Sequence, residues 1–169
     1  LSPSSAASDV YKRQEETMLK FVNAIGRDNA RFPMHWDDSD NAGFTTGTPW
    51  ISVNENYKKI NAAAQVNDPD SIFSYYKKLI ELRHQMEIIV YGVYKSKAIE
   101  HPDVFAYTRT LGDEKLFVVC NFREQEMDFT LEDGFTGDEK VLISNYDDVV
   151  KTENGIYLRP YEAKVFYRK

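Results

Sequence analysis

Arg27-Asp28-Asn29-Ala30-Arg31-Phe32-Pro33-Met34-His35-Trp36-Asp37-Asp38 opens the least regular part of this 169-residue sequence, residues 27–68. Neither the period of a helix nor the alternation of a strand persists through it. Both tryptophans, Trp36 and Trp50, fall inside it, with Pro33, Pro49, Gly43 and Gly47. A disordered linker rarely carries two Trp and two Phe among so few Ser. A long ordered loop in a compact domain tends to be functional. Arg27 and Arg31 add two fixed forks of donors beside aromatic rings and short amides. Guanidinium groups suit sugar hydroxyls, and apolar rings pack on pyranose faces. The same residues also allow an Arg–Asp pair that merely pins the loop.

Outward from this stretch the chain is more regular. Upstream, Glu15 to Ile25 reads as a short amphipathic helix carrying Met18, Phe21, Val22 and Ile25, with Gly26 as its stop. Residues 1–14 are small, polar and aperiodic. They are expected to be non-native read-through, which makes the chain a piece of a longer protein. Downstream, Pro69–Gln85 reads as the clearest helix, with Asp68 as N-cap and Pro69 at its first position. Ile72, Phe73, Tyr76, Leu79, Ile80 and Arg83 share one face, expected to meet a core. After Gly92 the pattern turns to strands: 104–110 and 115–122 as a hairpin about Gly112-Asp113, then 126–131, 141–143, 156–158 and 163–167. Asp133-Gly134 and Asn154-Gly155 punctuate them. This half is expected to be a small antiparallel β domain.

Composition excludes several functions. Lys+Arg is 21 and Asp+Glu 27, a net charge of −6 that argues against nucleic acid or an anionic membrane surface as partner. No stretch reaches the roughly 20 apolar residues of a membrane span. The single cysteine, Cys120, lies in the apolar run 117–120 and reads as a buried structural thiol. A lone cysteine and no Asn-x-Ser/Thr acceptor fit a cytoplasmic protein.

Familiar site patterns fail on inspection. An EF-hand starting at Asp38 would need acceptors where Ala42 and Pro49 stand. His35, His84 and His101 form no zinc-ligand spacing. There is no GxxxxGK[ST], GxGxxG or GxSxG run. The acids at 37–40 and 124–139 read as solvated loop and strand faces.

The separated segments together are more specific than any short motif. Residues 27–38 are followed by Asn41-Ala42-Gly43-Phe44-Thr45-Thr46-Gly47 and Pro49-Trp50. Val53-Asn54, Asn56-Tyr57, Ile60-Asn61 and Ser71-Ile72-Phe73 come next. Further on stand Tyr75-Tyr76-Lys77-Lys78-Leu79-Ile80-Glu81-Leu82-Arg83, Ile143-Ser144-Asn145-Tyr146 and Leu158-Arg159-Pro160-Tyr161-Glu162-Ala163. From about residue 15 to its end the chain resembles glycoside hydrolase family 13, in its oligo-1,6-glucosidase group of α-glucosidases. The resemblance implies α/β plus all-β architecture: the C-terminal end of a (β/α)₈ barrel followed by a small antiparallel β-sandwich domain. Residues 15–88 would supply the last strand, a long active-site loop and the last helix of the barrel. Residues 89–169 would be the C-terminal β domain.

The same resemblance implies a retaining mechanism with an Asp nucleophile and a Glu acid/base, on barrel strands that this sequence does not match. No catalytic residue is therefore assigned here, and no metal or cofactor is implied. Arg31 matches the arginine that helps hold the non-reducing glucose, and Arg27 is a second substrate-binding candidate. The substrate would be a small oligosaccharide or glucoside, hydrolysed at an α-1,6 or α-1,4 bond by a monomer. The alternatives are a trehalose-6-phosphate hydrolase of the same family and a non-catalytic carbohydrate-binding or interaction relative. A sheet-face platform of Tyr107, Phe117 and Phe129 would favour the last. Phe32 and His35 depart from the group, which commonly has Thr and Gln there.

Overall fold

The structure, a computed structural model, describes residues 14–20, 22 and 30–169. The chain divides into two compact units, 1–74 and 75–169, each described by itself.

In the first unit, residues 14–20 and 22 are helical. Met18, Leu19 and Val22 are exposed rather than facing a core. The rest of that expected helix, the segment 1–13 and Arg27 lie outside the described residues. No strand precedes Val93 among the described residues, and the stretch ahead of the loop at 27–68, where the resemblance puts the last barrel strand, lies largely outside them. Within the loop, asparagines bond the backbone locally. Asn54 caps the 3₁₀ turn Glu55–Lys58 by accepting from the Asn56 N–H, and Asn61 caps the helix Ala62–Val66 by accepting from the Ala64 N–H.

The long helix runs over Ile72–Gln85, starting later than the sequence suggests. Ser71, not Asp68, is the cap: its Oγ accepts from the Ser74 N–H at 3.1 Å. Asp68 instead closes the preceding turn, accepting from the Asp70 N–H at 3.0 Å. The expected core face of this helix is open, with Ile72, Phe73, Tyr76, Leu79 and Ile80 all exposed.

Beyond it, the second unit holds a short helix, Glu87–Tyr91, and eight strands: β1 Val93–Lys97, β2 Val104–Leu111, β3 Glu114–Asn121, β4 Met127–Thr130, β5 Lys140–Ser144, β6 Val150–Thr152, β7 Gly155–Leu158 and β8 Ala163–Arg168. They form a five-stranded sheet, β1-β2-β3-β8-β5, and a three-stranded one, β4-β7-β6, antiparallel throughout. Alternation along the strands decides which side chains turn inward. Val104 and Ala106 of β2, Phe117 and Val119 of β3 and Phe166 of β8 cluster with Phe129 of β4 and with Ile156 and Leu158 of β7. This is the core of a two-layer sandwich. Gly155 is required where β7 meets β4, because a Cβ there would sit 2.1 Å from the Phe129 carbonyl oxygen.

The aromatic platform is not formed as expected. Phe117 and Phe129 are buried, packed 6.4 Å apart in the core. Tyr107 instead stacks on the opposite sheet face between Tyr94 at 5.1 Å and Phe105 at 5.6 Å. Cys120 is half-buried, and burial pushes its thiol up, away from nucleophilic use.

β8 carries a charge where a core residue is the norm. Lys164 is 1% exposed and bonds Glu162, which is fully buried, at 2.5 Å. Arg159 completes the group from Nη2 to Glu162 at 3.0 Å and from Nη1 to Asp148 at 2.7 Å. Burial pushes the Glu162 carboxyl up, and the hydrogen bonds from Arg159 and Lys164 outweigh it, leaving it below the ordinary carboxylate value. With every partner satisfied, the buried charges fasten the 144–148 and 159–164 segments together.

Candidate functional site

Arg31 is exposed, and from it the chain runs without helix or strand through Phe32, buried Pro33, Met34, His35 and Trp36. Arg31 is therefore presented by a loop whose far end is held firmly. The His35 carbonyl accepts from the Ala62 N–H and the Trp36 carbonyl from the Ala63 N–H, both at 2.9 Å. His35 Nδ1 donates to the Ile60 carbonyl at 3.0 Å, and the ring meets Tyr57 edge-on. A carbonyl can only accept, so this partner assigns the proton to Nδ1.

Past Trp36 the chain doubles back. The Trp36 N–H reaches the Ala42 carbonyl at 2.9 Å, and Asp37 bonds both the N–H and the hydroxyl of Ser39. Those bonds, the side-chain one foremost, hold the Asp37 carboxyl below its ordinary value. Asp37 thus braces the turn. Asn41 at φ 53° and Ala42 at φ 57° occupy the left-handed region before Gly43 at φ 64°. Such a conformation costs a non-glycine residue about 1–2 kcal/mol. Asn41 offsets part of this by donating Nδ2 to the carbonyls of Thr45 and Gly47 at 3.2 and 3.1 Å.

Among the described residues no group of three His, Cys, Asp or Glu side chains could hold a metal ion. His84 is exposed on its helix, and His101 Nδ1 accepts from the N–H groups of Asp103 and Val104. Of the acids at 37–40, Asp37 braces the turn. Sequence reasoning did not single out Phe44, which stands exposed just beyond this braced turn. The run Asn41-Ala42-Gly43, opening with a residue that tolerates positive φ and closing with glycine, marks a turn but not the exposure of the ring beyond it.

An arginine on a braced, aromatic-rich loop ahead of a helix and an antiparallel sandwich is a combination that comparison with known proteins identifies. Residues 5–92 match the family model of the alpha amylase catalytic domain, and residues 104–165 that of the alpha-amylase SusG C-terminal domain. The chain belongs to the alpha-amylase family, glycoside hydrolase family 13. Within it, the chain is 51% identical over 158 residues to an oligo-1,6-glucosidase of Parageobacillus thermoglucosidasius, spanning 92% of this chain and 28% of that protein. It is 42% identical over 155 residues to the trehalose-6-phosphate hydrolase of Bacillus subtilis, covering 90% of this chain and 28% of that protein. The crystal structure of Bacillus licheniformis trehalose-6-phosphate hydrolase superposes with a TM-score of 0.82 at 40% identity, over 96% of this chain and 31% of that one. The chain thus spans under a third of the relatives it matches. No helix among the described residues is long and apolar enough to cross a membrane.

Proposed function

We propose that this chain is the C-terminal portion of a retaining α-glucosidase that removes glucose from the non-reducing end of short oligosaccharides. The observation carrying the reading is identity of 51–52% to oligo-1,6-glucosidases through the whole loop, helix and β-domain region. Residues 15–88 belong to the catalytic barrel and 89–169 to the β domain. The uncovered apolar face of Ile72–Gln85 supports this, since it has the composition of a surface made to be packed. Arg31 holds hydroxyls of the terminal glucose by charged hydrogen bonds worth about 1.5–3 kcal/mol. Arg27, four residues earlier, is the second binding candidate.

The chemistry follows from two carboxyl groups about 5–5.5 Å apart. One attacks the anomeric carbon while the other protonates the leaving oxygen; a water then displaces the covalent sugar with retention. Neither carboxyl is assigned to this chain, so the isolated chain is inactive. The complete enzyme acts as a cytoplasmic monomer. A second reading, hydrolysis of trehalose 6-phosphate, is favoured by the 40–42% identity to hydrolases of that specificity. Proton NMR of the complete enzyme acting on isomaltose, maltose and trehalose 6-phosphate tests both. Release of α-glucose from isomaltose supports the first. Turnover confined to the phosphorylated sugar selects the second, and no turnover of any refutes both.

A further inference from the structure

Phe44 is half-exposed and lines one depression with Ser39, Asp40, Asn41, Thr45 and Thr46. Gly43 also lines this open depression of about 1010 Å³. A single apolar ring rimmed by hydroxyl, amide and carboxylate groups matches one chemistry well. Carbon-bound hydrogens of a pyranose pack on the ring, and its hydroxyls bond to the rim. An anionic ligand is disfavoured, because the rim carries Asp40 and no cation.

The platform is also preorganised. Asn41 fixes the carbonyls of Thr45 and Gly47 on either side of Thr46. A Cβ added at Gly43 would lie 2.7 Å from the Asp37 carboxylate, so the turn is packed against its brace. The Trp36 N–H to Ala42 carbonyl bond ties this turn to the segment that starts at Arg31. Five residues span at most about 18 Å, so Arg31 and the base of the Phe44 turn are separated by no more than a short oligosaccharide.

We infer that Phe44 and its polar rim form an outer glucosyl subsite, which holds the leaving-group end of oligosaccharides longer than a disaccharide. This rests on the glucosidase reading and adds a chain-length preference to it. The test compares Phe44→Ala and Phe44→Trp with the parent in the complete enzyme, on isomaltotetraose and on p-nitrophenyl α-glucoside, with melting temperatures recorded. The ratio of kcat/KM for the tetrasaccharide to that for the aryl glucoside should fall about tenfold in Phe44→Ala, mostly through KM, and recover in Phe44→Trp. An unchanged ratio overturns the subsite. So does an equal loss on both substrates with a lowered melting temperature, which marks a role in loop support alone. A parent enzyme inactive on both sugars refutes the glucosidase reading itself, and the subsite with it.

Discussion

Replacing Lys164 by Met probes the least expected feature of the β domain. The side chain is 1% exposed, and its Nζ bonds Glu162 at 2.5 Å, the Asp148 carbonyl at 2.6 Å and Ser144 Oγ at 3.0 Å. Met keeps the length and apolar stem but removes the charge. Breaking a buried pair from one side costs about 3–5 kcal/mol, chiefly because the surviving charge is left uncompensated. Here Arg159 still bonds Glu162 through its Nε at 3.0 Å, its Nη2 at 3.0 Å and its backbone N–H at 2.8 Å. The low end, about 3 kcal/mol, is therefore expected. At about 2–4 °C per kcal/mol for a chain of this size, the melting temperature should fall by roughly 6–12 °C. Circular dichroism in urea and on heating reads both quantities. The double variant Glu162→Gln, Lys164→Met removes both charges and should lose less than the sum of the single changes, by about 1–3 kcal/mol. A single variant within about 0.5 kcal/mol of the parent, or strict additivity, refutes the pairing argument.

Acid should weaken the same region. Lys97 holds Asp133, and Arg159 with Lys164 hold Glu162, below their ordinary carboxylate values. The unfolded chain then takes up protons first as pH falls, so this stability is complete above the ordinary carboxylate range and drains away below about pH 4. Melting temperature should be flat from about pH 7 to 5 and then drop, more shallowly in the double variant, which lacks the Glu162 carboxyl; a rise on acidification would contradict the assignment. Ser71→Ala removes the helix cap and the one hydroxyl proton that the carbonyls of Gln65 and Asp68 share. It should cost about 1–2 kcal/mol in urea unfolding, whereas Asp68→Ala should cost less; the reverse order would restore Asp68 as the cap.

The strands were legible where alternation met a core: 104–110, 115–122 and 163–167 read as strands, and Val104, Ala106, Phe117, Val119 and Phe166 in them are buried. β1 and β6 were not, for physical reasons. β1 carries Lys95 and Lys97 at the edge of its sheet, and β6 is three residues of Val-Lys-Thr. Pairing with a neighbour made these strands, not their own hydrophobicity. The helix start was misplaced because Asp68 and Ser71 are both competent caps, and only the Ser71 Oγ meets the Ser74 N–H. In the candidate site, Arg31 could be picked out from its neighbours in sequence. Phe44 could not, since its exposure depends on the left-handed turn at Asn41 and Ala42. The buried Lys164–Glu162 pair was hidden for a similar reason: alternation on β8 places Lys164 inward, but composition rules put lysine on the surface.

The most direct measurement is kcat/KM for p-nitrophenyl α-glucoside in the complete enzyme and in its Arg31→Ala variant. With the variant's melting temperature unchanged, the account predicts a loss of about tenfold to a hundredfold, the equivalent of one charged hydrogen bond to the terminal glucose. An Arg31→Ala enzyme with unaltered kinetics would contradict it.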